Sequence, residues 1–313
     1  EGENWNNNTR SPLTEPGINI NVGDYVIQLN GHSLTTLDNP YRLLENTADK
    51  KIAIAVNSKP SAEGAETYWI KPVRSEQDLR YLDWVNSRRR MVDELSNGRI
   101  AYIHVPNTGV EGNRELFKGI YAYSDKEAFI IDDRYNGGGW SPGKMIEKLS
   151  QRAISFWHRR GLELRQEPAF ALNGPMVMLI NHYSSSGGDN FPYWFRKREL
   201  GKLIGTRTWG GLVGYGWSPS LVDGPSFAVP MSGIVGTDGE YIVEGVGIYP
   251  DEGFEVYDRP EEVVKGKDPS IEAAVKYLLE ELKKNPVKKV KDPADPDRSK
   301  WYEKAIKESK IKK

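Results

Sequence analysis

The 313-residue sequence predicts an α/β protein. Two apolar runs of strand length, at residues 129–131 and 175–180, suit strands buried on both faces. Segments with helical apolar spacing stand between and after them, and strands alternating with helices imply an α/β core. The length is that of about two domains.

Taken in order, residues 1–16 are polar, carry Asn6, Asn7 and Asn8 with two prolines, and read as irregular. A strand follows at residues 23–29 and ends in an Asn30–Gly31 turn. A short helix is expected at 40–46, then strands at 51–56 and 68–73. Residues 76–96 read as a charged helix carrying Leu79, Leu82, Val85, Val92 and Leu95. Its Arg88–Arg89–Arg90 triplet reads as a solvated face, with contact to an acidic substrate as the other reading. The second core begins near Arg99. It closes with a helix opened by Asp268–Pro269 and striped by Ile271, Val275, Leu278, Leu279 and Leu282. From Lys283 the chain is lysine-rich and broken by Pro286, Pro293 and Pro296. Trp301, Ala305 and Ile306 would share one side of a short helix. A mobile tail is the expectation there, with docking to a neighbouring subunit as the alternative. No internal repeat is evident.

Composition narrows the function classes. A formal net charge of −1 gives no electrostatic reason to bind nucleic acid or anionic membrane. No apolar run approaches the roughly 18 residues that span a bilayer, and no signal peptide is visible. The absence of cysteine removes disulfides and thiol catalysis without fixing the compartment. No His/Cys cluster has metal-ligand spacing and no phosphate-binding Gly-Lys-Ser/Thr loop occurs, so no cofactor is expected.

The chemistry is concentrated in three segments. Asn181-His182-Tyr183-Ser184-Ser185-Ser186-Gly187-Gly188-Asp189 follows the strand at 175–180. It precedes Phe191, Trp194 and Phe195 at helical spacing. Asp189 reads as the N-cap of that helix and Gly201 as the C′ glycine ending it. A serine here lies among unpaired N–H groups at the positive end of a helix, where a developing oxyanion is stabilised. Taken alone, the segment also reads as a small-residue turn. Asn136-Gly137-Gly138-Gly139 ends the strand at 129–131. Its glycines let backbone N–H groups approach a ligand, or simply turn the chain into a helix. Residues 241–251 read as an otherwise apolar strand with one acid, Glu244, exposed on one face or paired with a donor.

Together with Gly201-Lys202-Leu203-Ile204-Gly205-Thr206-Arg207-Thr208-Trp209-Gly210-Gly211 and Val243-Glu244-Gly245-Val246-Gly247, these segments resemble the tricorn protease family, relatives of the C-terminal processing peptidases. The resemblance runs from about Gly17 to about Leu282. It implies a crotonase-like spiral ββα peptidase domain at 98–285, preceded by a PDZ-like domain at 1–75 entered after its first strand. A linker helix at 76–97 and a lysine-rich tail at 286–313 complete the partition. A PDZ-like domain can bind peptides by adding a strand to a sheet edge, but packing is the expected role here.

By that resemblance Ser186 is the nucleophile, and the Gly139 and Gly187 N–H groups form the oxyanion hole. Glu244 is the acid of the charge relay. Peptides or unfolded segments are the implied substrates, and a homo-oligomer is the implied assembly. Three departures matter. The family's aspartate after the nucleophile is Gly187 here, and its acidic substrate-pocket residue corresponds to Trp157, so a basic P1 preference does not carry over. The family draws its histidine from a domain ahead of the PDZ domain. This chain has only His32, His104, His158 and His182, none at the family's position. The processing peptidases use a lysine instead, but Trp209-Gly210-Gly211 offers none. The base is therefore expected from an N-terminal portion of the same protein, with this chain as its C-terminal part. The compartment stays open: cytoplasmic for an archaeal-type member, periplasmic or secreted if a signal peptide has been removed. The competing reading is a non-catalytic ligand-binding or scaffold protein on the same fold.

Overall fold

The computed structural model describes residues 2–3, 5–6, 9–295 and 300–311. The chain divides into two compact units, residues 1–88 and 89–313.

The first unit holds β1 (Tyr25–Leu29), β2 (His32–Ser33), α1 (Pro40–Leu43), β3 (Ile52–Asn57) and β4 (Glu66–Ile70). It also holds the start of α2 (Gln77–Ser96). The strands form one antiparallel sheet in the order β2-β1-β3-β4. Asn30, with φ 50°, and Gly31, with φ 82°, make the tight turn between β1 and β2, as an Asn-Gly pair favours. Asn39 starts α1 by accepting from Tyr41 N–H, with Pro40 in the first turn. Leu29, Ile52, Ile54, Val56 and Ile70 form this unit's core.

The second unit begins with β5 (Ile100–His104), α3 (Val110–Ala122), β6 (Ala128–Asp132) and α4 (Gly143–Ser150). A short hairpin follows, β7 (Ser155–Trp157) with β8 (Arg165–Glu167), then β9 (Met176–Ile180), α5 (Gly187–Lys197) and β10 (Gly201–Gly205). A second hairpin, β11 (Gly214–Trp217) with β12 (Val229–Ser232), precedes α6 (Pro260–Val263), α7 (Pro269–Lys284) and α8 (Trp301–Ile311). Strands β5, β6, β9 and β10 form a parallel sheet in the order β10-β9-β6-β5. Strands β6 and β9 are buried at every residue, as expected of apolar runs covered on both faces. Phe129, Ile131, Met176, Met178 and Ile180 share a core with Leu116 and Ile120 of α3, Met145 and Leu149 of α4, and Phe191 and Phe195 of α5. The alternate residues Ile130, Val177 and Leu179 point the other way. On that side α7 lies against β6, β9 and β10 and buries Ile271, Ala274, Val275, Leu278 and Leu282. Asp268 caps α7 by accepting from Ile271 N–H at 3.0 Å.

Several sequence expectations are corrected. Residues 241–251 form no strand: Tyr241 makes an isolated bridge to Val235, and 244–246 are a turn. Val243 has φ 72° and Gly245 φ 74°, which breaks the extended backbone that the apolar run suggested. Gly201 opens β10 rather than closing α5, which ends at Lys197; the chain turns out of it through Glu199 at φ 52°. Position 201 has another reason to be glycine: a Cβ there would overlap the Met176 carbonyl of the neighbouring strand. In the tail, Asp292 lies 3.4 Å from His158 and Asp295 3.4 Å from Arg160.

Candidate active site

The parallel sheet brings two turns together at the carboxyl ends of β6 and β9, where ligands of open α/β sheets gather. Asn181 takes the N–H groups of Tyr135 and Tyr183 on its side-chain oxygen, each at 3.1 Å. Ser184 Oγ donates to the Asp133 carbonyl at 2.8 Å, and Ser185 N–H donates to the Asn136 carbonyl at 2.9 Å. These bonds tie the turn after β9 to the turn after β6. They set the backbone at Ser186 to φ 55°, ψ −113°, a combination that costs a non-glycine residue roughly 1–3 kcal/mol.

Ser186 itself is the N-cap residue of α5, and Asp189 lies in the first turn. The sequence had assigned the cap to Asp189 from its chemistry. Its carboxylate is instead engaged elsewhere: Oδ1 accepts from Thr208 Oγ1 at 2.5 Å and from Gly210 N–H at 2.7 Å. Burial raises the Asp189 pKa.

The glycine turn lies directly against Ser186. Gly137 N–H donates to the Pro106 carbonyl at 3.1 Å, and Gly138 N–H to Asn136 Oδ1 at 2.8 Å. A Cβ placed on Gly138 would sit 2.7 Å from Ser186 Cβ and 3.0 Å from Gly187 N. One placed on Gly187 would sit 3.1 Å from Gly139 N. Gly139 has φ 136°, a backbone region essentially reserved for glycine. The nitrogens of Gly139 and Gly187 thus lie beside Ser186. Among the described residues neither N–H donates to a protein acceptor, and Ser186 Oγ has no hydrogen bond.

Glu244 reaches the same place through a third segment. Ser186 N–H donates to the Gly211 carbonyl at 2.9 Å, and the next N–H, that of Leu212, donates to Glu244 Oε2 at 2.5 Å. Gly245 N–H donates to the Gly210 carbonyl at 2.7 Å. The exposed Glu244 carboxylate is therefore held beside the strip that carries Ser186.

Trp157 stands 59 % exposed on the β7–β8 hairpin, and no described contact brings it to Ser186. His104 is buried on β5, with Nε2 2.9 Å from the Arg134 carbonyl, and burial lowers its pKa. The exposed His182 ring packs on Tyr183, with centroids 4.0 Å apart. Among the described residues no histidine hydrogen-bonds Ser186.

Of three supporting residues, Asp133 and Thr108 escaped the sequence reading, and Asn136 was named there without this role. Asp133, fully buried, accepts from Asn136 Nδ2 at 2.8 Å, while its second oxygen has no partner among the described residues. Burial pushes its carboxyl well above the usual carboxylate range, and the charges of Asp132 and Asp189 add to this. Asn136 then holds Gly138. An asparagine two residues before a glycine that needs its N–H held is an Asx-turn signal, and it could have been read. Thr108 packs behind Gly187, a long-range placement with no local signal.

Family models match both parts of the chain. Residues 99–254 match Peptidase family S41, and residues 1–75 match the tricorn protease PDZ domain. The tricorn protease of Thermoplasma acidophilum is 34 % identical over 282 residues, 90 % of this chain and 26 % of that protein. The chain belongs to the tricorn protease family. Tricorn protease homolog 1 of Streptomyces coelicolor is 32 % identical over 89 % of this chain and 26 % of its own length. A crystal structure of the tricorn protease superposes with a TM-score of 0.82 at 34 % identity, over 90 % of this chain and 27 % of the other. The chain thus spans about a quarter of the length of these relatives. Among the described residues, no helix is long and apolar enough to cross a membrane.

Proposed function

We propose that this chain carries the nucleophilic half of a serine peptidase that cleaves peptides or unfolded segments through an acyl-enzyme on Ser186. The observation that carries the reading is the placement of Ser186. Its backbone is held at φ 55° at the start of α5, beside two glycine N–H groups that have no acceptor among the described residues. In the reaction Ser186 Oγ attacks the scissile carbonyl and its proton passes to a base. The carbonyl oxygen, now anionic, takes hydrogen bonds from Gly139 and Gly187 N–H, and collapse expels the amine, which takes up the proton. Glu244, anchored on Leu212 N–H, orients the base or its hydrogen-bond partner.

The base is a histidine from a preceding portion of the same protein. His104 is spent on the Arg134 carbonyl and buried, and His182 is packed on Tyr183. Membership of the family favours the crotonase-like spiral for residues 98–285. It likewise favours assembly as a homo-oligomer.

The test is intact-mass labelling with a serine-reactive fluorophosphonate, on this chain alone and mixed with its native N-terminal portion. Ser186→Ala is the control. Labelling at Ser186 only in the mixture is the expected result. Labelling of the chain alone would place the base within it. No labelling in either sample would favour the binding-protein alternative.

A further inference from the structure

Thr108 joins the loop ahead of α3 to both glycines of the candidate oxyanion hole. Its side chain is completely buried, and Oγ1 has no hydrogen-bond partner among the described residues. Its N–H donates to the Gly138 carbonyl at 2.9 Å. In a trans peptide the C=O and the following N–H point in opposite directions. Holding the Gly138 carbonyl towards Thr108 therefore turns the Gly139 N–H away from Thr108, on the side where it is free to donate.

The side chain acts on the second donor. A Cβ on Gly187 would overlap Thr108 Oγ1 and lie 3.1 Å from both Thr108 Cβ and Gly139 N. A Cβ on Gly139 would meet Thr108 Oγ1 at 3.2 Å and Gly109 N at 2.8 Å. The Thr108 side chain is thus a wedge behind the hole, filling the volume that a side chain at either glycine would need. The loop bearing the wedge is itself fixed. Asn107 Oδ1 accepts from Gly109 and Gly112 N–H at 2.9 and 3.1 Å, and Asn113 Nδ2 donates to the Thr108 and Gly109 carbonyls at 3.2 and 2.7 Å.

We propose that Thr108 is the positioning residue of the oxyanion hole. It aims the Gly139 N–H through its own backbone, sets the Gly139–Gly187 spacing through its side chain, and obliges position 187 to be glycine. The proposal rests on the peptidase reading above. Thr108 does not touch the substrate; it acts through the two donors, and displacing catalytic groups by about an ångström can cost on the order of 10²-fold in rate.

The test uses the full-length protein and two readouts, kcat and KM on a peptide and the rate of fluorophosphonate labelling at Ser186. Thermal unfolding of each variant separates misfolding from misplacement. Thr108→Gly removes the wedge and is expected to lower kcat and the labelling rate by about 10- to 100-fold, with KM changed by less than about threefold. Thr108→Val, which keeps the bulk, recovers most of that loss. Gly187→Ala lowers the labelling rate by about 10²-fold or more, and the Thr108→Gly/Gly187→Ala double variant recovers at least about tenfold of it because the space has been opened. Equal labelling of parent and Thr108→Gly, or the same Gly187→Ala penalty in both backgrounds, would overturn the proposal while leaving Ser186 as nucleophile. A parent that does not label at all overturns the peptidase reading and this inference with it. If Thr108→Gly fails to fold, the Gly187→Ala comparison is made against Thr108→Ala, with the same two outcomes.

Discussion

At the scale of single residues, the informative position is Ser186, because its chemistry and its backbone make opposite demands. The proposed attack requires a hydroxyl, yet φ 55° with ψ −113° is a region that glycine enters more readily than any residue with a Cβ. Under the proposed role, strain at Ser186 is stability given up for placement. Ser186→Ala keeps the Cβ and so keeps the strain; it is expected to abolish fluorophosphonate labelling with little change in melting temperature. Ser186→Gly also abolishes labelling but relieves the strain. After the extra chain entropy of glycine is subtracted, about 1 kcal/mol of stabilisation should remain, seen as a melting temperature about 2–4 °C above that of the alanine variant. Equal melting temperatures for the two variants would mean that the backbone at 186 is not strained.

At the scale of elements, the sequence exposed the strands and helices that carry long apolar runs and hid the turns that make the site. Strands β6 and β9 were readable because they are covered on both faces, and α7 because Asp268 and Pro269 announce its start. The N-cap of α5 was misplaced because Asp189 has the chemistry of a cap but a different task. Its carboxylate bridges the first turn of α5 to Thr208 and Gly210, and no local pattern encodes a partner some twenty residues away. Residues 241–251 were misread for a related reason: an apolar run does not show which of its residues are covered, and here Val243 is buried while Tyr241 and Val246 are exposed. The task assigned to Asp189 has a consequence. Gly210 begins the strip whose Gly211 carbonyl holds Ser186 N–H and whose Leu212 N–H holds Glu244. Asp189→Ala leaves Thr208 Oγ1 and Gly210 N–H without this acceptor. It should destabilise the protein by about 1–3 kcal/mol and slow labelling at Ser186. Asp189→Asn retains an acceptor oxygen and should lose less of both, as denaturant midpoints and labelling rates would reveal.

For the whole molecule, the sequence pointed to Ser186, Gly139, Gly187 and Glu244, which the fold brings near one another, but not to Trp157's separate place or to the electrostatics beneath the turns. Nothing in the pair Asp132–Asp133 distinguishes one aspartate from the other, yet the fold sends their protons in opposite directions. Burial works against the charge of Asp132, but Arg134, paired with it at 2.7 Å and also with Asp258 and Asp268 at 2.8 and 2.9 Å, overrides this and lowers its pKa. Asp133 faces no such cation, and burial raises its pKa far above the ordinary range. The two should therefore give stability curves of opposite slope. Asp132 contributes stability above its unfolded pKa of about 3.9 that is lost as pH falls through its folded value. Asp133 contributes stability that is complete below about pH 3.9 and is lost as pH rises through its folded value, at about 1.4 kcal/mol for every tenfold difference in proton affinity between the two states. Asp133→Asn removes that titration while keeping an oxygen for Asn136 Nδ2. Relative to the parent it should gain stability between about pH 4 and pH 7. Asp132→Asn leaves Arg134 short of a buried partner and should lose stability relative to the parent over the same range. Urea midpoints for the three proteins at both ends of the range decide the matter: a parent and an Asp133→Asn variant that change in parallel would show that Asp133 ionises as an ordinary carboxylate, and that the Asn136 turn rests on a charge rather than on a proton.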